Sequence, residues 1–317
     1  MKRILALDGG GIKGVFSAAF LASLEEETKE PIGRYFDLIA GTSTGGIIAL
    51  ALGLGYSASN ILHLYRALGQ RVFARRRRWF EVRSIFRPKY DSAPLRDVLT
   101  EHFGQRQLGE SSTRLVIPSL SLETGKVHVF KTAHHNRFQK DYREAAVAVA
   151  LAAAAAPTYF PAYRHGSGLP LVDGGIWANN PVGVAAVEAL GVLGWDRHEI
   201  RILSIGCSSP LSVEAGRRRP KGFLYWAREI ADLFASAQSF SSLGTAQLLA
   251  GHDNVFRVAP VMPPGRFALD DATEIPSLEG LGYGEAREWL PRLRHVFLVE
   301  PAEPFAPEHS LVQVEAL

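Results

Sequence analysis

The sequence predicts an α/β protein built around a mostly parallel sheet. Three short apolar runs typical of buried strands, at 3–7, 36–40 and 169–172, are each followed at once by a glycine-rich polar motif. The first two motifs lead directly into apolar stretches long enough for helices. In a parallel sheet of this kind the strand ends gather at one edge, and that edge carries the functional site.

Composition limits the class of protein before any motif is considered. The chain has 317 residues, 47% hydrophobic and 21% charged, enough for one large α/β domain with a sizeable core. A net charge of +3 does not argue for nucleic acid, although arginines cluster at 75–78 and 217–219. The one cysteine, Cys207, excludes an internal disulfide, and the longest apolar run, 145–156, is below the ~18 residues that a membrane-spanning helix needs. We therefore expect a cytoplasmic protein whose membrane contact is peripheral.

The first strand, at 3–7, leads into Asp8 and a glycine loop that ends at Gly14. Glycines let backbone N–H groups converge at the start of the helix predicted up to about Glu27, and such a site holds negative charge. Two anions fit it: a dinucleotide pyrophosphate, because the loop matches G-x-G-x-x-G, or the oxyanion of an acyl-transfer intermediate. The dinucleotide is disfavoured because Asp8 would repel it, and because Asp37 lies at the start of the second strand rather than at its end.

The second strand enters a sharp turn centred on Ser43, with Gly41 and Gly45 two positions to either side. Such a turn strains the serine backbone, so both neighbours must lack a side chain to avoid clashes. The helix predicted from Thr44 would direct its positive end at the Ser43 hydroxyl, which suits a nucleophile. The alternative is a glycine-rich connection with an incidental serine, since G-x-S-x-G also arises by chance.

The next stretch combines regular elements with one segment that fits no regular pattern. Helices are predicted at 57–70 and 92–103, and alternating residues at 115–122 and 126–131 predict a hairpin. Between the helices, residues 71–89 interleave arginines with aromatic side chains. We expect a mobile lid or membrane-facing loop there, with a solvated loop or a nucleic-acid patch as alternatives.

A third motif follows a shorter strand. An alanine-rich helix is predicted at 142–156, and the strand at 169–172 then leads into Asp173 and two glycines. Asn180 is the predicted N-cap of the following helix. Asp173 is either a catalytic carboxylate or a turn residue that hydrogen-bonds its own backbone.

The C-terminal third carries weaker signals. Because no repeat or long linker divides the chain, we predict a single domain over 1–317, with a catalytic core at about 4–195 and an elaboration at about 196–317. The elaboration has a basic loop and no evident catalytic role, so we expect it to regulate or cap the core. Its predicted elements are strands at 200–207 and 254–259 and helices at 223–240 and 284–294.

Together, the three motifs resemble the signature motifs of the patatin-like phospholipases over about residues 4–190. Lys13 stands where that family more often has arginine, which keeps the charge but loses the forked geometry. The order of the motifs also matches. The resemblance lies in Asp8–Gly14, Gly41–Gly45 and Asp173–Gly175, in Ala-Ala-Pro-Thr-Tyr-Phe-Pro at 155–161, and in Asn-Asn-Pro at 179–181.

The resemblance implies a patatin-like three-layer sandwich, with helices on both faces of a mostly parallel sheet, and a serine–aspartate dyad. Ser43 would be the nucleophile and Asp173 its base, in a phospholipase A that hydrolyses lipid ester bonds. A free carboxylate, with a pKa of about 3.9, is a weak base, so burial would have to raise it. The other implied site residues are Gly9, Gly10, Gly11 and Ile12 in the oxyanion hole, with Asp8, Lys13, Gly14, Gly41, Gly45, Gly174 and Gly175 as motif support.

Two other functions stay open at the level of sequence. One is an α/β-hydrolase with a Ser–His–acid triad, although the downstream histidines, including His252 and His295, do not follow a predicted strand in a glycine-rich loop. The other is a non-catalytic nucleotide- or membrane-binding module in which Ser43 is structural. The sequence has no metal-ligand spacing, so we expect catalysis with neither metal nor cofactor.

The motif wording and compact size are most similar to bacterial members of the family. Some of those are anti-phage effectors that cyclic dinucleotides switch on and that then degrade the cell's own phospholipids. By this resemblance we expect a phospholipid substrate, peripheral contact with the inner membrane and a cyclic dinucleotide activator, with no nucleic-acid polymer as partner. The part after about Gly206 is the hypothetical sensor, since its arginines can pair with phosphates.

Overall fold

The computed structural model describes residues 1–73, 87–166, 168–207, 209–210, 223–262 and 266–311. Most of the basic segment 71–89 and the arginine cluster at 217–219 therefore lie outside the described residues. Within the described ranges, no helix is long and apolar enough to cross a membrane.

An eight-stranded sheet forms the centre of the protein. Its strands are β1 (Lys2–Leu7), β2 (Leu38–Gly41), β3 (Arg114–Ser121), β4 (Val127–Lys131), β5 (Tyr163–Arg164), β6 (Pro170–Asp173), β7 (Ile200–Ile205) and, after a short β8 (Ser209–Pro210), β9 (Val255–Val258). The order is β5-β6-β3-β2-β1-β7-β9, with β4 paired to β3. Strands β3, β2, β1, β7 and β9 are parallel to one another, which confirms the predicted mostly parallel sheet. Strand β10 (Val261–Met262) pairs with β8 in a separate two-stranded sheet.

Helices cover both faces of this sheet, because alternate residues of each buried strand point to opposite sides. On one face Leu5 and Leu7 pack into a core with helices that include α1 and α2, and on the other Ile4 and Ala6 pack with α7 and α8. The predicted three-layer arrangement is confirmed. The helices are α1 (Gly14–Glu25), α2 (Thr44–Gly53), α3 (Ala58–Leu68), α4 (Ala93–Phe103), α5 (Ala146–Ala153), α6 (Gly175–Ala178), α7 (Val182–Val187), α8 (Phe223–Ala250) and α9 (Ile275–Phe297).

Strands β2 and β6 lie end to end along the same side of β3. Val116 of β3 pairs with β4 on one side and with Ala40 of β2 on the other. Ser119, three residues on, pairs with β4 on one side and with Asp173 of β6 on the other. Because β4 occupies one side of β3 throughout, β2 and β6 must share the opposite side. Their C-terminal ends therefore point at each other.

The direction of β6 corrects one expectation. The sequence suggested that all three motifs follow parallel strands whose ends share one edge, but β6 runs antiparallel to β3. Its pairing with β3 is confined to the last three residues of β3, and from there β6 runs back towards the end of β2. Asp173 thus reaches the level of the serine turn from the opposite direction.

Two helix boundaries differ from the predictions for identifiable reasons. The predicted helix 142–156 begins only at Ala146, because Ala145 is extended and forms a bridge with Gln107. Helix α8 continues ten residues beyond its predicted end at 240, with Ala246 and Ala250 buried against the sheet.

The C-terminal helix α9 begins nine residues before the predicted start at 284. Gly280, Gly282 and Gly284 weaken the helix signal there, since glycine is a poor helix former. Only Gly282 is needed for packing: a Cβ on it would lie 2.6 Å from the carbonyl oxygen of Phe16 in α1. Nothing lies within 4 Å of a Cβ built on Gly280 or Gly284.

These three glycines provide a test of the packing between α1 and α9. We expect Gly282→Ala to lower the free energy of unfolding by roughly 1–3 kcal/mol, because the new methyl collides with α1. Gly280→Ala and Gly284→Ala, the matched controls, should raise it by up to about 1 kcal/mol through helix propensity. Urea denaturation of the three variants measures this, and equal effects at all three positions would contradict the packing.

Candidate active site

The turn between β2 and α2 places Ser43 in a strained conformation. Its φ is 54° and its ψ is −125°, a region that non-glycine residues rarely occupy. A Cβ on Gly41 would lie 2.2 Å from the carbonyl oxygen of Gly45, and one on Gly45 would lie 2.5 Å from that of Leu7. The glycines on either side of Ser43 are therefore required by close backbone contacts, as the sequence predicted.

The Ser43 side chain points towards the carboxylate of Asp173. Although Ser43 is the N-cap residue of α2, its hydroxyl makes no capping hydrogen bond. It acts instead as a hydrogen-bond donor to Asp173, which also accepts from the Gly175 N–H at 2.7 Å. The Asp173 N–H in turn donates to the Ala155 carbonyl at 3.0 Å, which fixes the end of β6. A Cβ on Gly174 would lie 2.4 Å from the Pro118 carbonyl oxygen, so glycine is needed there.

Burial controls the protonation of this carboxylate. Asp173 is 4% exposed, and burial raises its pKa from 3.8 to about 6. The hydrogen bonds from Ser43 and from the Gly175 N–H lower the pKa but do not cancel the effect of burial. Asp173 is thus a stronger base than an exposed aspartate and is still ionised at neutral pH.

The first glycine loop packs directly against the serine turn. A Cβ on Gly9 would lie 3.2 Å from the Ser43 Cβ. Both loops are tied to the segment after the third motif: the Gly9 N–H donates to the Asn179 carbonyl at 2.9 Å, and the Thr42 hydroxyl donates to the Ala178 carbonyl at 2.6 Å. The three motifs singled out in the sequence therefore meet at one place.

Only part of the predicted oxyanion hole has free amides. The N–H of Gly9 is bonded to Asn179, and the N–H of Ile12 donates to the Leu269 carbonyl at 2.8 Å. Within the described part of the chain, the N–H groups of Gly10 and Gly11 have no hydrogen-bond acceptor. They lie at the start of the helical segment that continues into α1, where the dipole favours an anion. Of the four predicted donors, the Gly10 and Gly11 amides are therefore the candidates for binding an oxyanion.

The fold leaves no room for a side chain at Gly10 or Gly11. Gly11 has a φ of +59°, and a Cβ on it would lie 2.2 Å from the Leu269 carbonyl oxygen. A Cβ on Gly10 would lie 2.7 Å from the sulfur of buried Cys207, whose pKa burial raises to about 11. That thiol is neutral at physiological pH and hydrogen-bonds with the Ser17 hydroxyl at 3.8 Å.

The last two residues of the first motif, Lys13 and Gly14, lie where the glycine loop enters α1. A Cβ on Gly14 would lie 2.3 Å from the hydroxyl of Tyr65, which donates to the Thr44 carbonyl at 2.8 Å. This contact connects the start of α1 to the start of α2. Lys13, on the same turn as Gly14, is half-buried.

A partly buried arginine that the sequence analysis missed holds Asp8. Arg257 on β9 donates to both carboxylate oxygens of Asp8, at 2.8 and 2.5 Å, and to the Ser204 hydroxyl at 2.8 Å. Asp8 immediately precedes the glycine loop, so this bidentate pair anchors the loop to the sheet. No local signal identifies Arg257, because it is 249 residues away in the chain.

Helix α8 joins two sides of the site through one hydroxyl. The Ser239 Oγ accepts from the Asn180 Nδ2 at 3.2 Å and from the Arg257 Nη2 at 3.5 Å. Neighbouring Gln238 and Ser242 also hydrogen-bond the backbone of Asn180. The Asn180 Oδ1 accepts from the Val182 N–H at 3.0 Å, but the N-cap residue of α7 is Pro181, one position later than predicted.

The histidines considered for a triad lie elsewhere. His252, in a turn between α8 and β9, and His295, on α9, are both exposed. Among the described residues, no histidine hydrogen-bonds Ser43 or Asp173, and no group of three or more His, Cys, Asp or Glu is placed to hold a metal ion. The carboxylate itself therefore faces the hydroxyl.

The fold and this geometry define a class of protein, the serine hydrolases, in which a strained serine meets a base and converging backbone amides. The model of the family described as "Patatin-like phospholipase" matches residues 5–186. The chain belongs to the patatin-like phospholipase family, so the resemblance seen in the sequence is confirmed, and with it a hydrolase acting on lipid ester bonds.

Curated relatives agree with this assignment. The chain is 34% identical over 296 residues to a "cGAMP-activated phospholipase" of Pseudomonas aeruginosa, covering 92% of this chain and 86% of that protein. A protein of the same name from Vibrio cholerae is 37% identical over 225 residues, which cover 64% of this chain and 63% of that protein. "Patatin-like protein 4" of Arabidopsis thaliana is 28% identical over 88% of this chain and 80% of that protein.

The raised pKa of Asp173 has a consequence for stability. The folded-state pKa of about 6 exceeds the unfolded value near 3.9, so the folded protein binds more protons between these values and loses stability as the pH rises through them. Asp173→Asn keeps an acceptor for the Gly175 N–H but carries no charge. We expect the free energy of unfolding of this variant to equal that of the parent near pH 4 and to exceed it by on the order of 3 kcal/mol above pH 7.

Urea denaturation across this pH range measures the difference between Asp173→Asn and the parent. Asp97→Asn, on the exposed side of α4, is the control and should leave the pH dependence unchanged. A pH-independent difference between Asp173→Asn and the parent would contradict the burial of an ionised carboxylate.

Proposed function

We propose that this protein is a phospholipase A in which Ser43 and Asp173 form the catalytic dyad and the amides of Gly10 and Gly11 form the oxyanion hole. The observation that carries the proposal is the strained Ser43, whose hydroxyl makes no capping hydrogen bond and faces a buried carboxylate. Beside it lie two amides that have no acceptor in the described part of the protein. Membership of the family supplies the substrate class, membrane phospholipids.

The chemistry follows two acyl transfers. In the first, Asp173 takes the proton of Ser43 as its Oγ attacks the ester carbonyl, and the Gly10 and Gly11 amides bind the oxyanion. The tetrahedral intermediate collapses, Asp173 returns the proton to the leaving alkoxide, and a lysophospholipid departs. In the second, Asp173 deprotonates a water that attacks the acyl-serine, and the Gly10 and Gly11 amides again bind the oxyanion. When this intermediate collapses, Asp173 returns the proton to the Ser43 Oγ and a fatty acid leaves.

Two features offset the weakness of a carboxylate base. A pKa of about 6 brings Asp173 closer to the pH at which the enzyme works, which improves proton transfer. One oxyanion donor is typically worth ~3 kcal/mol of transition-state stabilisation, so two preorganised amides supply a large share of the rate. The helix dipole at the same loop adds to this effect.

Substitution distinguishes the dyad from a histidine triad. We expect Ser43→Ala and Asp173→Asn to lower kcat/KM for a soluble p-nitrophenyl ester by at least about 10³-fold, because each removes a partner in proton transfer. His252→Asn and His295→Asn, both at exposed positions, should retain the activity of the parent within about two-fold. Loss of activity in either histidine variant, with Asp173→Asn still active, would contradict the dyad.

We further propose that residues from about 196 onwards regulate the core at about 4–195 within one domain. Ser239 on α8 hydrogen-bonds both Asn180, after the catalytic aspartate motif, and Arg257, which holds Asp8 before the oxyanion loop. A shift of α8 would therefore move the segment after Asp173 and the loop after Asp8 at the same time. The names of the Pseudomonas and Vibrio relatives favour cGAMP, a cyclic dinucleotide, as the activator.

In this proposal the protein works in the cytoplasm and binds the inner membrane peripherally when it is active. Degradation of the cell's own phospholipids after a cyclic dinucleotide signal is the action of an anti-phage defence effector. The basic and aromatic residues of 71–89 suit contact with an anionic lipid surface.

Activation is tested on anionic phospholipid vesicles with and without cGAMP or cyclic di-GMP. We expect fatty acid release to rise at least ten-fold with the activating dinucleotide. Ser239→Ala should reduce that ratio several-fold because it breaks the link to Asn180 and Arg257, whereas Ser241→Ala, exposed on the same helix, should not. Full activity on vesicles without any cyclic dinucleotide would contradict regulation.

A further inference from the structure

A cavity of about 280 Å³ lies beside the dyad and is not lined by it. Helix α4 contributes one wall, the end of α5 a second, and the segment 160–164 a third. Its inner surface is mostly apolar, and the main apolar lining residues are Leu95, Leu151, Ala154, Ala155 and Phe160.

Two arginines line the same cavity from different elements. Arg96 is on α4 and Arg164 is on β5, and both side chains are exposed. Across the ranges that the structure describes, neither guanidinium forms an ion pair with a carboxylate, whereas the surface arginines Arg66 and Arg106 pair with Glu279 and Glu110. The charges of Arg96 and Arg164 are therefore available to a ligand.

The position of the cavity connects it to the catalytic carboxylate. The carbonyl of Ala155, a lining residue, accepts the Asp173 N–H at 3.0 Å. Tyr163, also in the lining, pairs with Leu171 of β6, the strand that ends in Asp173. Only the backbone of the lining residues would thus separate a ligand in the cavity from the strand that ends in Asp173.

The chemistry of the walls restricts the ligand. The mostly apolar lining suits a length of acyl chain better than a small polar molecule, which would leave hydrogen bonds unmade there. Guanidinium groups bind carboxylates and phosphates through charge-assisted, forked hydrogen bonds. An apolar interior with two unpaired arginines matches an acyl chain that ends in an anionic group.

We propose that this cavity binds a single-chain anionic amphiphile, with the acyl chain against α5 and the anionic group on Arg96 and Arg164. The proposal rests on the proposed function in one respect: both products of a phospholipase A, a fatty acid and an anionic lysophospholipid, have this chemistry. Occupancy of the cavity places a product, or the end of a lipid, next to β6 and the dyad.

Binding of 11-(dansylamino)undecanoic acid to the full-length protein tests the proposal. The fluorescence titration uses the parent and Ser43→Ala, so that binding is measured without turnover. We expect saturable binding that weakens at least ten-fold in the double variant Arg96→Gln/Arg164→Gln and is lost in Ala162→Trp, which fills the cavity. Arg292→Gln, an exposed arginine on α9, is the matched control and should bind as the parent does.

Competition identifies the source of the anion. Lauric acid and lysophosphatidylglycerol should displace the probe, and the one that displaces it at lower concentration identifies a carboxylate or a phosphate as the preferred group. Dodecanol, which has no anionic group, should displace the probe only at a concentration at least ten-fold higher than that of lauric acid. Equal displacement by dodecanol, or unchanged binding in the double arginine variant, would overturn the proposal. Hydrolysis of a soluble ester by the same variants reports separately on the dyad, so failure of one does not imply failure of the other.

Discussion

The site depends on keeping one ionisable carboxylate buried beside a serine hydroxyl, with no cation to compensate its charge among the residues that the structure describes. Burial raises the pKa of Asp173 to about 6, and within the described ranges only the Ser43 hydroxyl and the Gly175 N–H oppose that rise. The shift corresponds to a cost on the order of 3 kcal/mol when the group is ionised at neutral pH. The same shift makes the carboxylate a stronger base, which is the property that the proposed dyad requires of it.

Sheet topology makes this burial possible. Because β2 and β6 share one side of β3 and point at each other, the residue after one strand meets the residue that ends the other. Glycines then remove every side chain that would hold the backbones apart: Gly41 and Gly45 around Ser43, and Gly174 against Pro118. The adjoining glycine loop is fixed by the pair between Asp8, which precedes it, and Arg257 on β9.

What could be predicted from the sequence was what short-range patterns encode. The strained serine turn, the glycine loop at a helix start and the Asp173 motif have local signals, since each needs glycine at fixed offsets. The antiparallel direction of β6 has no such signal, because it depends on which side of β3 is already occupied. Arg257 and Ser239 were missed because their partners are far away in the chain. The start of α9 was missed because Gly282 serves packing rather than helix propensity.

The rate at which a fluorophosphonate labels Ser43, measured against pH in the parent and in Asp173→Asn, tests the central claim most directly. If Asp173 is the base, labelling of the parent should rise with pH to half its maximum at about pH 6, and Asp173→Asn should label slowly at every pH. Rapid labelling of Asp173→Asn with the same rise near pH 6 would show that another group activates Ser43 and would contradict the account.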